Sequence, residues 1–305
     1  MSDSSSGDTV ELPVPNTMRV VTPPRPFSSL IHVDLAAMSD RGLVRPENED
    51  HYLVVRFARL WETLLTNLPE GEVPAHSEEA GYAMVIADGI GGSAAGEVAS
   101  RLAIQSLVNI VLGTPDWIMR PQDVASRDIK LRAAERYGKV HEALAEQAEE
   151  DFRLAGMGTT MTLAFSVGVE MYLTHVGDSR CYLFHKGALC QLTHDQTMAQ
   201  ILADHGHISQ EEVPAHKLRH VLTQALGSSK GELKPEVGHF RLADGDSLLL
   251  CTDGLTEMVS ETTIASVLES KDPAEAACRR LVALALDAGG KDNVTVIVAR
   301  YRFPS

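Results

Sequence analysis

The chain has 305 residues, of which 44% are hydrophobic, and a formal net charge of −15 at pH 7. This hydrophobic content is sufficient for a globular core, and the length suits one large domain or two average ones. The acidic balance argues against nucleic acid and against an anionic membrane as the main partner, because both require a basic surface.

The first segment, residues 1–28, is rich in serine, proline and threonine and has no hydrophobic periodicity. We therefore expect a flexible leader, followed by a single folded domain over 29–303. Alternating apolar residues over 31–37 predict the first strand, and the run at 51–57 predicts the second. We interpret the polar, turn-rich segment at 61–81 as an inert surface insertion, with a specificity or partner site as the alternative.

The sequence VIADGIGG at 85–92 joins a short apolar run to an aspartate and three glycines. The apolar run predicts a buried strand that ends at Asp88, and the glycines permit backbone angles and close approaches that a side chain prevents. A carboxylate on a rigid strand end, beside the bare carbonyl of Gly89, can hold a hard cation. The alternative is a strand-to-helix turn in which Asp88 caps the following helix.

The remaining elements follow from hydrophobic periodicity and from helix start and stop signals. Helices are predicted over about 95–110, ended by Gly113 and Pro115, over about 128–150, at 195–205, after the capping box of Ser209 and Glu212, after Ser260, and at 273–288 with Asp272 as its cap. Strands are predicted at 159–167, 170–176, 181–185, 188–193, 236–243, 247–252 and 293–301. Strands with interspersed helices and no regular βαβ alternation favour the α+β class.

The histidines and cysteines offer no clear site. Two histidine-bearing stretches, 205–210 and 215–220, lack a clean pairing on one face, so we interpret them as solvent-facing residues on a mobile segment. The four cysteines have no metal-binding spacing, and Cys251 falls in a predicted core strand. Reduced, packed thiols suit a cytoplasmic location. The chain shows neither a signal-peptide pattern nor a run near the ~18 apolar residues of a membrane span.

Further acidic residues are placed like Asp88, beside the end of a predicted strand. They are Glu49 and Asp50, Asp178, Asp253 and Asp292. If these carboxylates converge, they repel one another by about 4 kcal/mol per pair at ~4 Å and an effective dielectric constant of about 20. Cations relieve that repulsion, and an all-oxygen ligand set favours magnesium, manganese or calcium over zinc or copper.

In their order along the chain, these segments resemble the metal-dependent protein phosphatase family, the type-2C serine/threonine phosphatases. The matching segments are Arg45 with Glu49 and Asp50, DGIGG at 88–92, GTT at 158–160, GDSR at 177–180, LTHDQT at 192–197, TDGL at 252–255 and DNVT at 292–295. A single DGxGG motif is weak evidence, whereas this ordered series spans roughly 33–301 and is specific.

The resemblance implies two stacked antiparallel β-sheets flanked by helix pairs, a four-layer αββα sandwich, and a centre of two Mn²⁺ or Mg²⁺ ions. By resemblance, Asp88 bridges the two ions, the Gly89 carbonyl binds one, and Asp253 and Asp292 hold the other. Glu49 and Asp50 act mainly through bound water. Arg45 is assigned to the substrate phosphate, because a planar guanidinium can contact two oxygens at once. The region 195–220 corresponds to a flap beside the site.

Two positions depart from the family pattern. Ile90 stands inside DGIGG where eukaryotic members often carry a histidine that is proposed as a general acid, and this aliphatic version resembles bacterial members. Gln196 stands where a histidine is common, and we transfer no role to the nearby His194. Since the obvious proton donor is missing, we hypothesise a third, weakly held ion between Asp178 and Asp253.

The implied function is metal-dependent hydrolysis of phosphoserine and phosphothreonine in protein substrates, expected to be those of a serine/threonine kinase. One alternative is a catalytically idle phosphopeptide-binding domain of the same fold, which would be expected to lose some of these acids. The other is a phosphatase for small metabolites, which remains open because a metal site contacts only the phosphoryl group.

Overall fold

The computed structural model describes residues 27–69, 71–91, 95–114, 126–228 and 232–304. The leader predicted for 1–28 therefore lies mostly outside the described residues, as do Gly92 and Pro115. Within the described part, a 3₁₀ helix at Phe27–Leu30 precedes the first strand. None of the described helices combines the length and apolar character needed to cross a membrane.

The strands and helices alternate irregularly along the chain. The strands are β1 (His32–Asp40), β2 (Asp50–Glu62), β3 (His76–Ile90), β4 (Gly158–Thr159), β5 (Met161–Val167), β6 (Glu170–Val176), β7 (Arg180–His185), β8 (Ala188–Gln191), β9 (Glu236–Arg241), β10 (Ser247–Cys251) and β11 (Val294–Arg302). The α-helices are α1 (Ala95–Gly113), α2 (Ser126–Glu150), α3 (Met198–Asp204), α4 (Asp253–Thr256), α5 (Glu261–Glu269) and α6 (Ala274–Asp287).

These strands form two antiparallel sheets, which confirms the predicted fold class. The first sheet has the order β1-β11-β10-β7-β8, and the second has the order β2-β3-β5-β6-β9, with β4 paired to β3. Between the sheets, Met84 and Ile86 of β3 pack with Leu248, Leu250 and Ile297 of the first sheet. Side chains alternate along a strand, so each sheet has a second apolar face that a helix pair covers.

The helix pairs complete four layers. Val85 and Ala87, on the outer face of β3, belong to one core cluster with Ala99 of α1 and Leu144 of α2. On the other side, α5 and α6 pack against the outer face of the first sheet, where Leu281 is fully buried. The thiol of Cys251 is buried and unpaired in β10, as predicted.

The segment 61–81 differs from its prediction. Its two ends are strand, because β2 continues to Glu62 and β3 begins at His76, while 63–75 connects them. Since β5 pairs with β3 only from Gly81 onward, residues 58–80 project as a two-stranded arm. The hydrophobic pattern did not predict these strand residues, because polar residues such as Glu78 and Glu79 interrupt it. A two-stranded arm that packs against little else does not require an apolar face.

The N-terminus of α6 also differs from its prediction. Pro273 occupies the N-cap position, and no side-chain cap bond is made there by the residue itself. Instead, the carboxylate of Asp34 in β1 accepts a hydrogen bond of 2.8 Å from the Ala274 amide. Asp34, which is distant in the sequence, therefore caps α6 in place of Asp272, and this hydrogen bond links the helix to β1 at the edge of the first sheet.

We predict that Asp34→Ala lowers the free energy of unfolding by about 1 kcal/mol, the usual cost of removing an acidic cap from a helix N-terminus. Urea unfolding measures this loss. Asp272→Ala is the matched control and should change the unfolding free energy by only a few tenths of a kcal/mol. The reverse ranking of the two variants would show that Asp272 is the cap.

Candidate metal centre

The strand ends bring the predicted acidic residues to one end of the sandwich. Asp50 opens β2 and lies directly opposite Asp88, near the end of β3. Asp253 begins α4, two residues after the end of β10, and Asp292 lies two residues before β11 begins. Because β10 and β11 are antiparallel neighbours, the end of one meets the start of the other. A cavity of about 860 Å³ is lined by Asp88, Asp178, Asp253 and Asp292.

The backbone of Asp88 is held by the two threonines of the GTT segment. The Thr159 hydroxyl and the Thr160 amide donate to the Asp88 carbonyl at 2.7 and 2.9 Å, and the Asp88 amide donates to the Thr160 hydroxyl at 3.0 Å. These two threonines therefore hold the backbone of Asp88 in place at the site. Gly89 is required for a different reason. A Cβ at this position would lie 2.1 Å from the carbonyl oxygen of Gly96 in α1.

Asp50 is a buried carboxylate with an unused oxygen. Its Oδ2 accepts hydrogen bonds from the hydroxyls of Thr252 at 2.9 Å and Thr295 at 2.7 Å. Its Oδ1 is buried and has no hydrogen-bond partner among the described residues. Burial raises the pKa of Asp50 to about 7, although the two threonine hydrogen bonds oppose this rise. An orphaned buried oxygen of this kind fits a site that receives a cation.

The carboxylates of the cluster repel one another. Burial raises the pKa of Asp88 well above its usual value, and repulsion from Asp50, Asp253, Asp178 and Asp292 raises it further. The pKa of Asp253 is raised in the same way, first by burial and then by repulsion from Asp178 and Asp292. The donor set is all oxygen, so it fits Mg²⁺ or Mn²⁺.

Arg45 lies beside this cluster and is paired with one of its members. Its Nη2 is 2.5 Å from Oδ2 of Asp292. Oδ1 of the same carboxylate accepts the Asn293 amide at 2.8 Å. This pairing raises the pKa of Arg45, chiefly through the hydrogen bond to Asp292. Arg45 therefore lies close enough to the cluster to contact a phosphate bound there.

Asn293 fixes the loop that carries Arg45, a role that the sequence did not indicate. Its Oδ1 accepts the Glu49 amide at 2.8 Å, and its Nδ2 donates to the carbonyls of Arg41 at 2.8 Å and Glu47 at 2.9 Å. The DNVT segment therefore supplies one candidate ligand, Asp292, and one residue that holds the 41–49 loop.

Asp178 lies in the loop between β6 and β7, on the same cavity. Burial raises its pKa to about 7, with a further contribution from Asp195. The nearby Arg180 is engaged elsewhere, because it forms a bidentate pair with Asp195, its Nη2 lying 2.7 Å from Oδ2. Gln196 holds this loop instead, since its Oε1 accepts the Gly177 amide at 2.9 Å.

Three residues at the site were missed. His220 is exposed, as expected, but its Nε2 lies 3.1 Å from Oε1 of Glu257 and its Nδ1 lies 3.9 Å from Oδ2 of Asp253. Arg219 also contacts Glu257, at 3.4 Å. Glu257 could have been found from the sequence, because it follows Asp253 by one helical turn. No comparable spacing in the sequence indicated that His220 lies at the site. His194 pairs instead with Asp204, away from the cluster.

Comparisons with known proteins agree with this geometry. A family profile described as protein phosphatase 2C matches residues 73–287. The chain is 41% identical over 266 residues to the serine/threonine protein phosphatase PstP of Mycobacterium tuberculosis, covering 87% of this chain but 44% of that protein. It is 34% identical over 216 residues to the serine/threonine phosphatase stp of Listeria welshimeri, covering 70% of this chain and 82% of the relative.

Solved structures show the same similarity. The crystal structure of the Mycobacterium tuberculosis phosphatase PstP/Ppp superposes with a TM-score of 0.69 at 36% identity, over 88% of this chain and 99% of that one. A PstP catalytic domain in complex with two manganese ions superposes with a TM-score of 0.67 at 34% identity, over 89% of this chain and 99% of that one. The chain thus spans less than half of the full-length PstP sequence but nearly all of these structures.

The cluster predicts how the stability of the metal-free protein depends on pH. Asp50 and Asp178 have folded-state pKa values of about 7, above the ordinary value of 3.8, so protonation favours the folded state. We expect the free energy of unfolding to rise as pH falls from about 8 to about 6.5, by up to about 1.4 kcal/mol per pH unit for each proton taken up.

Urea unfolding of chelator-treated protein measures this dependence. The measurement is restricted to pH 6.5 and above because of His175. Burial lowers the pKa of this histidine in the folded state from 6.5 to about 4, so below pH 6.5 protonation of the unfolded chain destabilises the fold. Asp253→Asn removes one repelling charge and should give a shallower slope. A free energy that is flat or rises with pH in this window would contradict the proposed repulsion.

Proposed function

The chain belongs to the protein phosphatase 2C family, and we propose that it hydrolyses phosphoserine and phosphothreonine in proteins, with Mn²⁺ or Mg²⁺ at the metal centre. The observation that carries this proposal is the buried carboxylate cluster around Asp88, which has Arg45 at its edge and opens on the cavity. The two manganese ions of the PstP catalytic domain support the same ions here.

The candidate ligands are Asp88, the Gly89 carbonyl, Asp253 and Asp292, with Asp50 and Glu49 acting mainly through water. Two divalent ions held in this way supply a water of lowered pKa as nucleophile and neutralise charge on the phosphoryl group. The residues present fit that role, because the cluster offers buried carboxylate oxygens, including the unpartnered Oδ1 of Asp50. The protein's own contribution is to hold these oxygens in place. Thr159 and Thr160 position Asp88, and the hydroxyls of Thr252 and Thr295 position Asp50.

Two residues that could act as nucleophiles, Thr160 and Cys251, are poorly suited to replace water. The hydroxyl of Thr160 is engaged with the Asp88 amide and with Ser179 at 2.9 Å. Cys251 is fully buried, and its burial raises the pKa of the thiol to about 12, so little thiolate forms at neutral pH. These features favour direct attack by water over a covalent phosphoenzyme.

Arg45 is proposed to bind the substrate phosphate. Its side chain is half exposed and its guanidinium already binds an anionic oxygen of Asp292, and the oxygens of a phosphate can accept the same kind of charge-assisted hydrogen bond. The Asn293 contacts fix the loop, so Arg45 meets the phosphoryl group from a defined direction. In this role Arg45 orients the phosphate and balances its negative charge.

Asp178 is proposed to assist the departure of the alcohol. Ile90, which lines the cavity, cannot donate a proton. A third, weaker ion held by Asp178 and Asp253 would supply an acidic water there, because cations lower the pKa of bound water. The position of Asp178 supports this assignment, because Asp178 lines the cavity. Arg180 pairs with Asp195, so the Asp178 carboxylate remains available for a cation.

The biological setting follows as part of the same proposal. Residues 29–303 form the catalytic domain, its substrates are phosphoproteins made by a serine/threonine kinase, and the protein acts in the cytoplasm. The named activities of the relatives support the substrate class. The four free cysteines support a reducing compartment.

We predict that Asp253→Asn lowers manganese-dependent turnover of a phosphothreonine peptide by at least about 100-fold, because an amide is a poorer ligand for a hard cation. Calorimetry should show weaker manganese binding, and circular dichroism should show an intact fold. Equal turnover by the variant and the wild type in saturating manganese would remove Asp253 from the ligand set.

Arg45→Ala is the matched comparison for this variant. It should raise KM for the same peptide without weakening manganese binding, because it removes a phosphate contact rather than a ligand. If instead the wild-type protein binds manganese and the phosphopeptide but turns nothing over, the idle phosphopeptide-binding alternative is correct.

We predict that Asp178→Ala depresses turnover of a phosphoserine peptide far more than turnover of p-nitrophenyl phosphate. A serine alkoxide is strongly basic and must be protonated as it leaves, whereas nitrophenolate leaves unaided. Manganese stoichiometry, measured by calorimetry on the same variant, should retain the two tight sites. Equal losses on both substrates with unchanged metal content would count against this role of Asp178.

A further inference from the structure

The strand β2 lies at the edge of the second sheet. It pairs with β3 over its whole length, from Asp50 opposite Asp88 to Glu62 opposite His76. The sheet order places no described strand on its other side. An exposed edge strand presents unpaired amides and carbonyls, which makes it a template for a further strand. At thirteen residues, β2 is long for an edge strand.

The register shows which backbone groups of β2 face outward. The Gly89 amide donates to the Glu49 carbonyl, and the Thr63 amide donates to the Ala75 carbonyl, so odd-numbered residues from 49 to 63 exchange hydrogen bonds with β3. Even-numbered residues therefore direct their amides and carbonyls away from the sheet. Val54, Arg56, Ala58 and Leu60 form this outward row.

The side chains around this row are unusually apolar for a surface. Leu60 is 61% exposed and Trp61 is 58% exposed, while Leu64 and Leu65, in the loop of the arm, are 80% and 95% exposed. Val55 is exposed as well. Scattered exposed apolar residues are ordinary, whereas a group on one projecting hairpin marks an interaction surface. The edge and the apolar side chains point to the same kind of partner, an extended strand.

We propose that β2 pairs with β2 of a second copy of this chain, antiparallel about a two-fold axis at Phe57, so that two six-stranded sheets become continuous. A strand that pairs with itself must be self-complementary, and β2 meets that condition in this register. Val54 of one copy lies opposite Leu60 of the other, and Arg56 lies opposite Ala58.

Charge and apolar pairing together favour this register over the neighbouring ones. An axis at Arg56 would place two arginines directly opposite each other, and an axis at Arg59 would do the same with that residue. Like charges directly opposite each other destabilise a strand pair. With the axis at Phe57, both arginines face small or apolar residues, and Leu53 faces Trp61. An axis at Ala58 also avoids like charges but places Val54 opposite Glu62, so it buries less apolar surface.

The strength of the pairing follows from its size. Stable specific interfaces bury about 1,200–2,000 Å² in total, and pairing along one strand is at the small end of that range. Each copy also carries a net charge of −15, which opposes association beyond the contact itself. We therefore expect a dimer that dissociates on dilution and that forms best where salt screens this repulsion.

Light scattering during size exclusion of the full chain, at physiological salt and over a range of concentrations, tests the association. The wild type should move from monomer to dimer as concentration rises. Ala58→Pro removes an outward amide without touching the bonds to β3 and should leave only monomer, whereas Ala58→Ser retains the amide and should dimerise normally. A wild type that stays monomeric throughout, or an Ala58→Pro variant that still dimerises with an unchanged fold, would overturn the proposal.

Cysteine cross-linking tests the register, in a Cys190→Ser background because Cys190 is exposed. With the axis at Phe57, Val55 of one copy lies opposite Arg59 of the other in a non-hydrogen-bonded pair, close enough for a disulfide. A mixture of Val55→Cys and Arg59→Cys proteins should form linked dimers on mild oxidation, and neither variant alone should do so. Cross-linking of either variant alone, to the same extent as the mixture, would refute this register. Neither experiment depends on phosphatase activity.

Discussion

The structure is organised around the repulsion between carboxylates gathered at one end of the sandwich. Asp50 and Asp88 face each other across two paired strands, and burial removes the water that would otherwise screen them. A fold can maintain such a cluster only if the strands are held by other interactions, since each close pair costs several kcal/mol at low effective dielectric. Two packed sheets, covered outside by α1, α2, α5 and α6, provide that support.

Threonine hydroxyl groups and the side-chain amide of Asn293 connect the two sheets to the acidic segments of the metal centre. Thr252 and Thr295 bind Asp50 from the first sheet, while Thr159 and Thr160 bind the backbone of Asp88 within the second. Neutral donors of this kind fix a carboxylate without cancelling its charge, so the oxygens stay available for a cation. The geometry of the centre is thus set mainly by residues that would not touch a metal.

Much of this arrangement could be predicted from local sequence. Asp88 and Asp253 each follow an apolar run, and strand ends in a sandwich meet, so their convergence could be expected. The hydrogen-bond partners of Asp50 could not be predicted, because Thr252 and Thr295 lie 202 and 245 positions away and nothing in the local sequence links either threonine to Asp50. The same limit applies to α6, whose cap comes from Asp34 rather than from the adjacent Asp272. The arm was missed because its polar residues resemble a loop until the register of β2 and β3 is known.

The pairing of Arg45 with Asp292 makes two binding events interdependent. Both oxygens of Asp292 are engaged, one by Arg45 and the other by the Asn293 amide, so a cation that binds this carboxylate must share it or displace the guanidinium. A displaced Arg45 is free for a phosphate. Linkage is reciprocal, so phosphate bound at Arg45 would in turn strengthen cation binding at Asp292 by the same factor. Phosphate and metal would then each increase occupancy of the other, and the centre would hold its ions most tightly when a phosphate is bound at Arg45.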